Sequence, residues 1–374
     1  MRYYIIAGEA SGDLHASNLM RALRERDPEA DFRCWGGDRM AAAGGHLVKH
    51  YRELAFMGFW EVFAHLGAIL RNLGQCRADM LRYAPDAVIL VDYPGFNLRM
   101  AKFAKEQGLK VIYYISPQIW AWKKGRIRKI RKYVDEMMVI LPFEEEFYAQ
   151  NGMKVHYVGH PLLDAVGREL HDSEEVREFR RRNSLDDREI IALLPGSRRQ
   201  EITAILPRML EMAPLFPQYQ FVVSVVDWQP FELYGKYLRK CPVRTVGGSA
   251  YPLLANARAA IVASGTATLE AAMIGTPEVV CYAGSELSYL IARQLITGIR
   301  FISLPNLIMD KPVVTELIQH DCDRRRLSQE LRRITEDGDR VAAMREDYRR
   351  LYSRLGDGSA SARAAGVVME ALKG

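Results

Sequence analysis

The chain has 374 residues, 49% of them apolar and 26% charged, enough for two or three packed cores and unlike a disordered or low-complexity chain. A net charge of +6 favours an acidic partner, such as a phosphate-bearing substrate or an anionic lipid surface. The cysteines (Cys34, Cys76, Cys241, Cys281 and Cys322) include no C-x-x-C pair, which speaks against a disulfide framework or a structural zinc site. The histidines form no H-x-x-x-H with carboxylate support, since Gly44-Gly45 argue against a helix carrying His46 and His50. No metal site and no G-x-S-x-G nucleophile elbow are expected.

Residues 2–7 read as an apolar strand. The run is too short for the core of a secretory signal, and no stretch of about 18 uncharged apolar residues occurs, so neither export nor a spanning helix is expected. G-E-A-S-G-D at 8–13 reads as a turn opening an amphipathic helix from about residue 14 to 26. Gly8 and Gly12 permit tight backbone, Ser11 and Asp13 are candidate caps, and free N–H groups at a helix start attract anions. The plainer reading is a structural turn. The loop is not G-x-G-x-x-G, which argues against a dinucleotide.

Residues 56–73 carry Phe56, Phe59, Trp60, Phe63, Leu66, Ile69, Leu70 and Leu73 at helical spacing. Such a stripe is either an ordinary core helix or one lying in a bilayer interface. A strand at 87–91 runs into V-D-Y-P-G-F-N. Asp92 closes that strand, where its carboxylate, of ordinary pKa about 3.9, is a candidate general base. A turn aspartate before Pro94 is the structural alternative. A strand at 110–115 leads to Trp120 and Trp122, then to a basic run with Lys123, Lys124, Arg126, Arg128, Lys129, Arg131 and Lys132. Tryptophans beside dense positive charge suit anionic headgroups, each cation worth about 1 kcal/mol near such a surface. That run tips the 56–73 stripe towards the interface reading. Nucleic acid is the rival partner, but no nucleic-acid motif accompanies the run.

After a strand at 137–141, G-H-P-L-L-D at 159–164 reads as a turn, and the charge-dense stretch 168–190 marks a connection between domains near 160–170. Strands then recur at 189–194, 221–226, 259–263 and 278–282. L-P-G-S-R-R-Q-E-I at 194–202 sets Arg198 and Arg199 at a helix start, where guanidinium groups bind phosphate by paired hydrogen bonds. A solvated helix end is the dull alternative. S-G-T-A-T-L-E-A-A at 264–272 places Ser264, Gly265 and Thr266 at another helix start, with Thr266 or Thr268 as caps and N–H groups suited to a diphosphate. Glu270, one turn on, is placed to accept both hydroxyls of a ribose, or simply complements the helix dipole. Residues from about 324 onward read as helical and Arg-rich. This pattern predicts an α/β protein of two doubly wound, Rossmann-like domains facing each other across a cleft, 1–165 and 166–349, with 350–374 packing back on the first.

Eight motifs occur together and in order: G-E-x-S-G-D at 8–13, D-x-P-x-F-N at 92–97, S-P-Q-I-W-A-W at 116–122, L-P-F-E at 141–144, G-H-P at 159–161, L-P-G-S-R at 194–198, S-G-T-A-T-L-E at 264–270 and S-L-P-N-L at 303–307. The set closely resembles the lipid-A-disaccharide synthase family of Gram-negative bacteria, from about residue 3 to about 320. The resemblance implies a glycosyltransferase-B fold and an inverting enzyme on the cytoplasmic face of the inner membrane, held there peripherally. The implied reaction moves 2,3-diacylglucosamine from UDP-2,3-diacylglucosamine to the 6-hydroxyl of 2,3-diacylglucosamine 1-phosphate, giving the β-1,6-linked disaccharide 1-phosphate and UDP. It implies no cofactor and no metal.

Asp92 matches the family's essential aspartate, and Glu9, Ser11, Arg198, Glu270 and Asn306 match its other functional polar positions. Gly95 stands where some relatives carry a second acid, which puts more weight on Asp92. On this reading Asp92 is catalytic, and Glu9, Ser11 and Asn306 bind substrate. Arg198, Ser264, Gly265, Thr266 and Glu270 bind UDP. Phe56, Phe59, Trp60, Phe63, Leu66, Lys123, Lys124 and Arg126 meet an anionic membrane surface, and no nucleic acid is involved. Two alternatives stay open: a UDP-sugar epimerase of the same fold acting on soluble sugars, and a non-enzymatic basic protein docking on membranes or RNA.

Overall fold

The computed structural model describes residues 1–53, 66–120, 124–170, 174–239, 241–284 and 300–373. It divides into two compact units, Met1–Ala165 with Leu355–Gly374, and Val166–Arg354. The first is built on β1 (Arg2–Ala7), β2 (Asp31–Gly36), β3 (His46–His50), β4 (Ala87–Val91), β5 (Lys110–Tyr114), β6 (Glu136–Val139) and β7 (His156–Tyr157). All neighbours are parallel, in the order β3-β2-β1-β4-β5-β6-β7. The central strands β1, β4 and β5 are almost wholly buried, as a parallel sheet covered by helices on both faces demands. β2 and β3 elude sequence reading because Arg33, Lys49, His46 and His50 break their apolar pattern. Arg33 is tolerated because it forks onto the Asp79 carboxylate at 2.6 and 2.8 Å.

Helix α1 (Ala10–Arg26) starts at Ala10 rather than near residue 14, because Glu9 is already the extended residue before the first turn. Ser11 and Asp13 therefore lie inside the helix and do not cap it. The buried Asp13 carboxylate instead accepts from the N–H groups of Gly37 (2.7 Å), Arg39 (3.1 Å) and Met40 (3.1 Å), and so caps α2 (Asp38–Ala42). In α3 (Leu66–Tyr83) the end of the 56–73 stripe is core material. Leu73 is buried and Ile69 packs beside it, while Leu70 is 59% exposed. Phe56, Phe59, Trp60 and Phe63 lie outside the described residues, and so does the Leu66 side chain. The C-terminal helix Ala360–Ala371 packs on α1, adding Ala364, Ala365 and Val368 to the core that holds Leu19 and Leu23.

The second unit carries β8 (Ile190–Leu194), β9 (Gln220–Ser224), β10 (Arg244–Val246), β11 (Ala257–Ala263), β12 (Glu278–Tyr282) and β13 (Thr315–Ile318). They are parallel in the order β10-β9-β8-β11-β12-β13. In both sheets the chain lays strands outward in one direction, then returns to the other side of its first strand. The order reverses between β1 and β4, and again between β8 and β11. At such a reversal the loops leaving the carboxyl ends of the two strands diverge and open a crevice, the usual ligand position in doubly wound sheets.

Among the described residues of the first unit two histidines are buried, His15 on α1 and His160 in the G-H-P turn. Burial lowers His15 to about 4, and burial together with the neighbouring His15 lowers His160 to about 3. Both are neutral in the fold, whereas in the unfolded chain each takes a proton near 6.5. Their contribution is thus complete above pH 6.5 and lost as the pH falls below it, by up to about 1.4 kcal/mol per histidine per pH unit. The urea midpoint should fall steadily between pH 6.5 and 4.5 and fall less steeply in His15→Leu. An unchanged midpoint over that window would contradict neutral burial.

Candidate active site

The loops after β1 and β4 are the pair flanking the first reversal, and one aromatic ring locks them together. A Cβ on Gly8 would lie 2.3 Å from the nearest Tyr93 ring carbon, so only glycine lets the ring seat there. Tyr93 stacks on Phe96 (5.8 Å) and Phe96 on the buried Trp35 (5.7 Å). Asp92 and Tyr93 both have left-handed backbones, φ 43° and 49°, a conformation that costs about 1–3 kcal/mol per non-glycine residue. Helix α4 (Pro94–Glu106) follows at once, with its proline in the first turn.

Asp92 is half-buried. Its N–H donates to the Tyr114 carbonyl (3.1 Å), and its own carbonyl accepts from Asn97 Nδ2 (2.7 Å) and the Tyr113 hydroxyl (2.6 Å). Glu9 is half-buried, and its charge is felt at the Tyr93 hydroxyl, whose pKa is raised first by burial and then by Glu9. Ser11 is exposed on the first turn of α1. Glu9, Ser11 and Asp92 therefore share one end of one sheet. Gly95, by contrast, has nothing among the described residues within 4 Å of the position a Cβ would take.

Arg126 is the one residue of the expected membrane set whose side-chain surroundings the described residues give. It is half-buried, and its charge reaches the Tyr113 hydroxyl, opposing the rise that burial and Asp92 cause there, so it lies on the Asp92 side of the unit. Lys123 and the Lys124 side chain lie outside the described residues. The S-P-Q-I-W-A-W and L-P-F-E motifs meet at α5 (Glu144–Gln150). Ser116 and Tyr148 share a hydroxyl hydrogen bond (2.7 Å), Trp120 sits edge-on to Phe143, and Glu144 accepts from the N–H groups of Ile140 (3.2 Å) and Leu141 (3.0 Å). Burial raises the Glu144 carboxyl to about 7 against those hydrogen bonds.

In the second unit the loop after β8 turns at Gly196, φ 99°, where a Cβ would stand 2.5 Å from Glu201 Oε2. Glu201, in the first turn of α6 (Arg199–Leu210), accepts from the N–H groups of Ser197 (3.1 Å) and Arg198 (3.2 Å). With those donors engaged, the charged group left at the loop is the Arg198 guanidinium, whose side chain is 60% exposed and which lies 3.8 Å from Glu201 Oε1. Trp228 Nε1 and Gln229 Nε2 donate to the Ser197 carbonyl at 3.4 and 3.1 Å, fastening the loop after β9 to the same place. No motif in the sequence signals that contact.

The loop after β11 opens α7 (Thr266–Ile274), with Gly265 as the cap residue and no side-chain cap. The expected caps do not form: the buried Thr268 hydroxyl donates to the Gly265 carbonyl (2.8 Å) and Thr266 is exposed. Among the described residues no side chain caps the first-turn N–H groups, the condition under which a helix start takes an anion. The Ser264 hydroxyl donates to the Ile302 carbonyl (3.3 Å), and Glu270 is half-buried one turn into α7.

Asn306 lies on a helix that packs against α7. It is 1% exposed in α8 (Leu304–Met309), and its amide exchanges two hydrogen bonds with the Val314 main chain and donates to Glu316 Oε1, all at 2.9 Å. Glu316 also accepts from the N–H groups of Ile302 and Ser303 and from the Ser303 hydroxyl (2.6 Å). Asn306 thus holds the S-L-P-N-L segment in shape, and its amide is already engaged rather than offered to a substrate.

A family model described as Lipid-A-disaccharide synthetase matches residues 3–371. A protein named lipid-A-disaccharide synthase from Trichlorobacter lovleyi is 39% identical, with 100% of this chain and 98% of that protein covered. One from Syntrophus aciditrophicus is 42% identical, with 99% and 97% covered. The chain belongs to this family.

Solved structures share the fold of this lipid-A-disaccharide synthase family member at far lower identity. UDP-GlcNAc 2-epimerase from Neisseria meningitidis, bound to UDP-GlcNAc, gives a TM-score of 0.73 at 12% identity, covering 99% of this chain and 100% of that one. S. aureus MnaA solved with UDP gives 0.71 at 13%, covering 100% and 97%. The likeness is that of the glycosyltransferase-B fold and carries no weight for an epimerase reaction. As a check on the structural role of Asn306, Asn306→Ala should lower stability by about 1–3 kcal/mol, read by denaturant titration, because it strands the Val314 N–H. Full stability would return Asn306 to the substrate-binding residues.

Proposed function

We infer that the protein is a UDP-dependent glycosyltransferase of lipid A biosynthesis, joining two acylated glucosamines into the lipid A disaccharide and releasing UDP. The observation that carries the assignment of roles is the placement of the chemistry-bearing loops at the two strand-order reversals, carboxylates in the first unit and an arginine with an uncapped helix start in the second. Asp92 takes the proton of the acceptor's 6-hydroxyl as that oxygen attacks the donor's anomeric carbon. A carbon–oxygen bond forms on the face opposite UDP while the bond to the diphosphate breaks, so the anomeric centre inverts. Arg198 and the first-turn N–H groups of α7 receive the charge that grows on the departing diphosphate, the kind of fixed electrostatic support that is strongest away from water. Glu270 accepts the ribose hydroxyls, Ser264, Gly265 and Thr266 line the diphosphate, and Glu9 and Ser11 hold the acceptor.

The substrates are UDP-2,3-diacylglucosamine and 2,3-diacylglucosamine 1-phosphate, whose acyl chains belong in a bilayer. No helix among the described residues is long and apolar enough to cross a membrane. The apolar Phe56, Phe59, Trp60, Phe63 and Leu66, with the basic Lys123, Lys124 and Arg126, are the residue types that bind anionic lipid, and on this reading they bring the enzyme to its substrates.

Asp92→Asn should leave thermal protection by UDP intact while cutting turnover by about 10²–10⁴-fold, the usual worth of a general base. Turnover near that of the parent would remove Asp92 from this role. Arg198→Ala should instead weaken UDP protection, roughly ten- to a hundredfold in ligand concentration. For the membrane, replacing Phe56, Phe59, Trp60 and Phe63 by Ser should release the protein from anionic vesicles in a pelleting assay. Unchanged pelleting would place the anchor elsewhere.

A further inference from the structure

The D-x-P-x-F-N motif contains one polar side chain to which the proposed reaction gives no task, Asn97. Its side chain is fully buried, and its amide nitrogen points at the end of the sheet, 2.7 Å from the Asp92 carbonyl oxygen, 3.2 Å from that of Val91 and 3.4 Å from that of Ile6. Tyr113 is also fully buried. It lies on β5, in register with Leu90 of β4, and its hydroxyl reaches the Asp92 carbonyl at 2.6 Å. A buried tyrosine hydroxyl and a buried amide both require partners, and here the two converge on a single main-chain oxygen.

The geometry has a direct mechanical consequence. The N–H of Asp92 is held by the Tyr114 carbonyl at 3.1 Å, and its carbonyl is held by Tyr113 and Asn97. Both peptide planes flanking Asp92 are therefore fixed, and the left-handed backbone at φ 43° cannot relax to an ordinary one without breaking these bonds. A base displaced by about 1 Å loses roughly 10²-fold in rate, so a clamp on the backbone is a clamp on catalysis.

We propose that Tyr113 and Asn97 are positioning residues that hold the strained backbone of Asp92 so that its carboxylate meets the acceptor hydroxyl. The inference rests on Asp92 being the base, and the experiment separates the two. Tyr113→Phe keeps the ring in the core and removes one hydrogen bond. Turnover should fall about 10- to 100-fold, with KM for the UDP-sugar within about twofold of the parent and thermal protection by UDP retained. Asn97→Ala, checked for folding by its thermal midpoint, should show the same division between kcat and KM. The decisive readout is the double variant: with Asp92→Asn already present, Tyr113→Phe should cost nothing further, because the group it positions is gone. A residue with a merely structural role would slow both backgrounds alike, and that result overturns the proposal. Parental turnover in Tyr113→Phe beside an inactive Asp92→Asn overturns the clamp alone. Full turnover in Asp92→Asn overturns the base and the clamp with it.

Discussion

The reversal of strand order beside β1 and beside β8 is the constraint on which the remaining features depend. Parallel strands need crossovers, and crossovers are right-handed, so strands laid on opposite sides of a first strand send their helices to opposite faces. The loops leaving β1 and β4, or β8 and β11, must then part. Polar, glycine-bearing loops at those points are tolerable because the strands beneath are almost wholly apolar and buried, and supply the stability the loops do not. The glycines at 8 and 196 sit on two of these loops, and each admits a side chain, Tyr93 or Glu201, that a Cβ would exclude.

The two units use this common plan for opposite electrostatic ends. The first gathers carboxylates, Glu9 and Asp92, on a framework made rigid by the Trp35–Phe96–Tyr93 stack. The second gathers donors, the Arg198 guanidinium and the first-turn N–H groups of α7. Glycosyl transfer from a nucleoside diphosphate needs both, a group that accepts a proton and a group that accepts developing negative charge. The left-handed pair Asp92-Tyr93 is where the fold departs most from relaxed backbone, and it does so at the residue assigned the proton.

The parts of the fold that could be read from sequence were those whose signal is local. β1, β4, β8, β11 and β12 are unbroken apolar runs and were located to within about two residues, the usual uncertainty at element ends. β2, β3, β7, β10 and β13 give no such signal because they are short or carry charged residues whose partners, such as Asp79 for Arg33, lie far away in sequence. The same distinction divides the site. Placing Asp92 and Arg198 at strand ends needed only the strands. Caps are tertiary: Asp13 serves α2 rather than its own helix, and Thr268 donates where it was expected to accept. Asn306 entered through family resemblance, and its work in binding Val314 and Glu316 becomes visible only once β13 is in place.

The most direct measurement is incubation of the purified protein with UDP-2,3-diacylglucosamine and 2,3-diacylglucosamine 1-phosphate, with the products read by mass. A tetra-acylated disaccharide bearing one phosphate, formed in step with UDP, is the predicted result. Free diacylglucosamine released with UDP, or a UDP-sugar recovered without any disaccharide, would contradict glycosyl transfer and move the two loop pairs to another reaction.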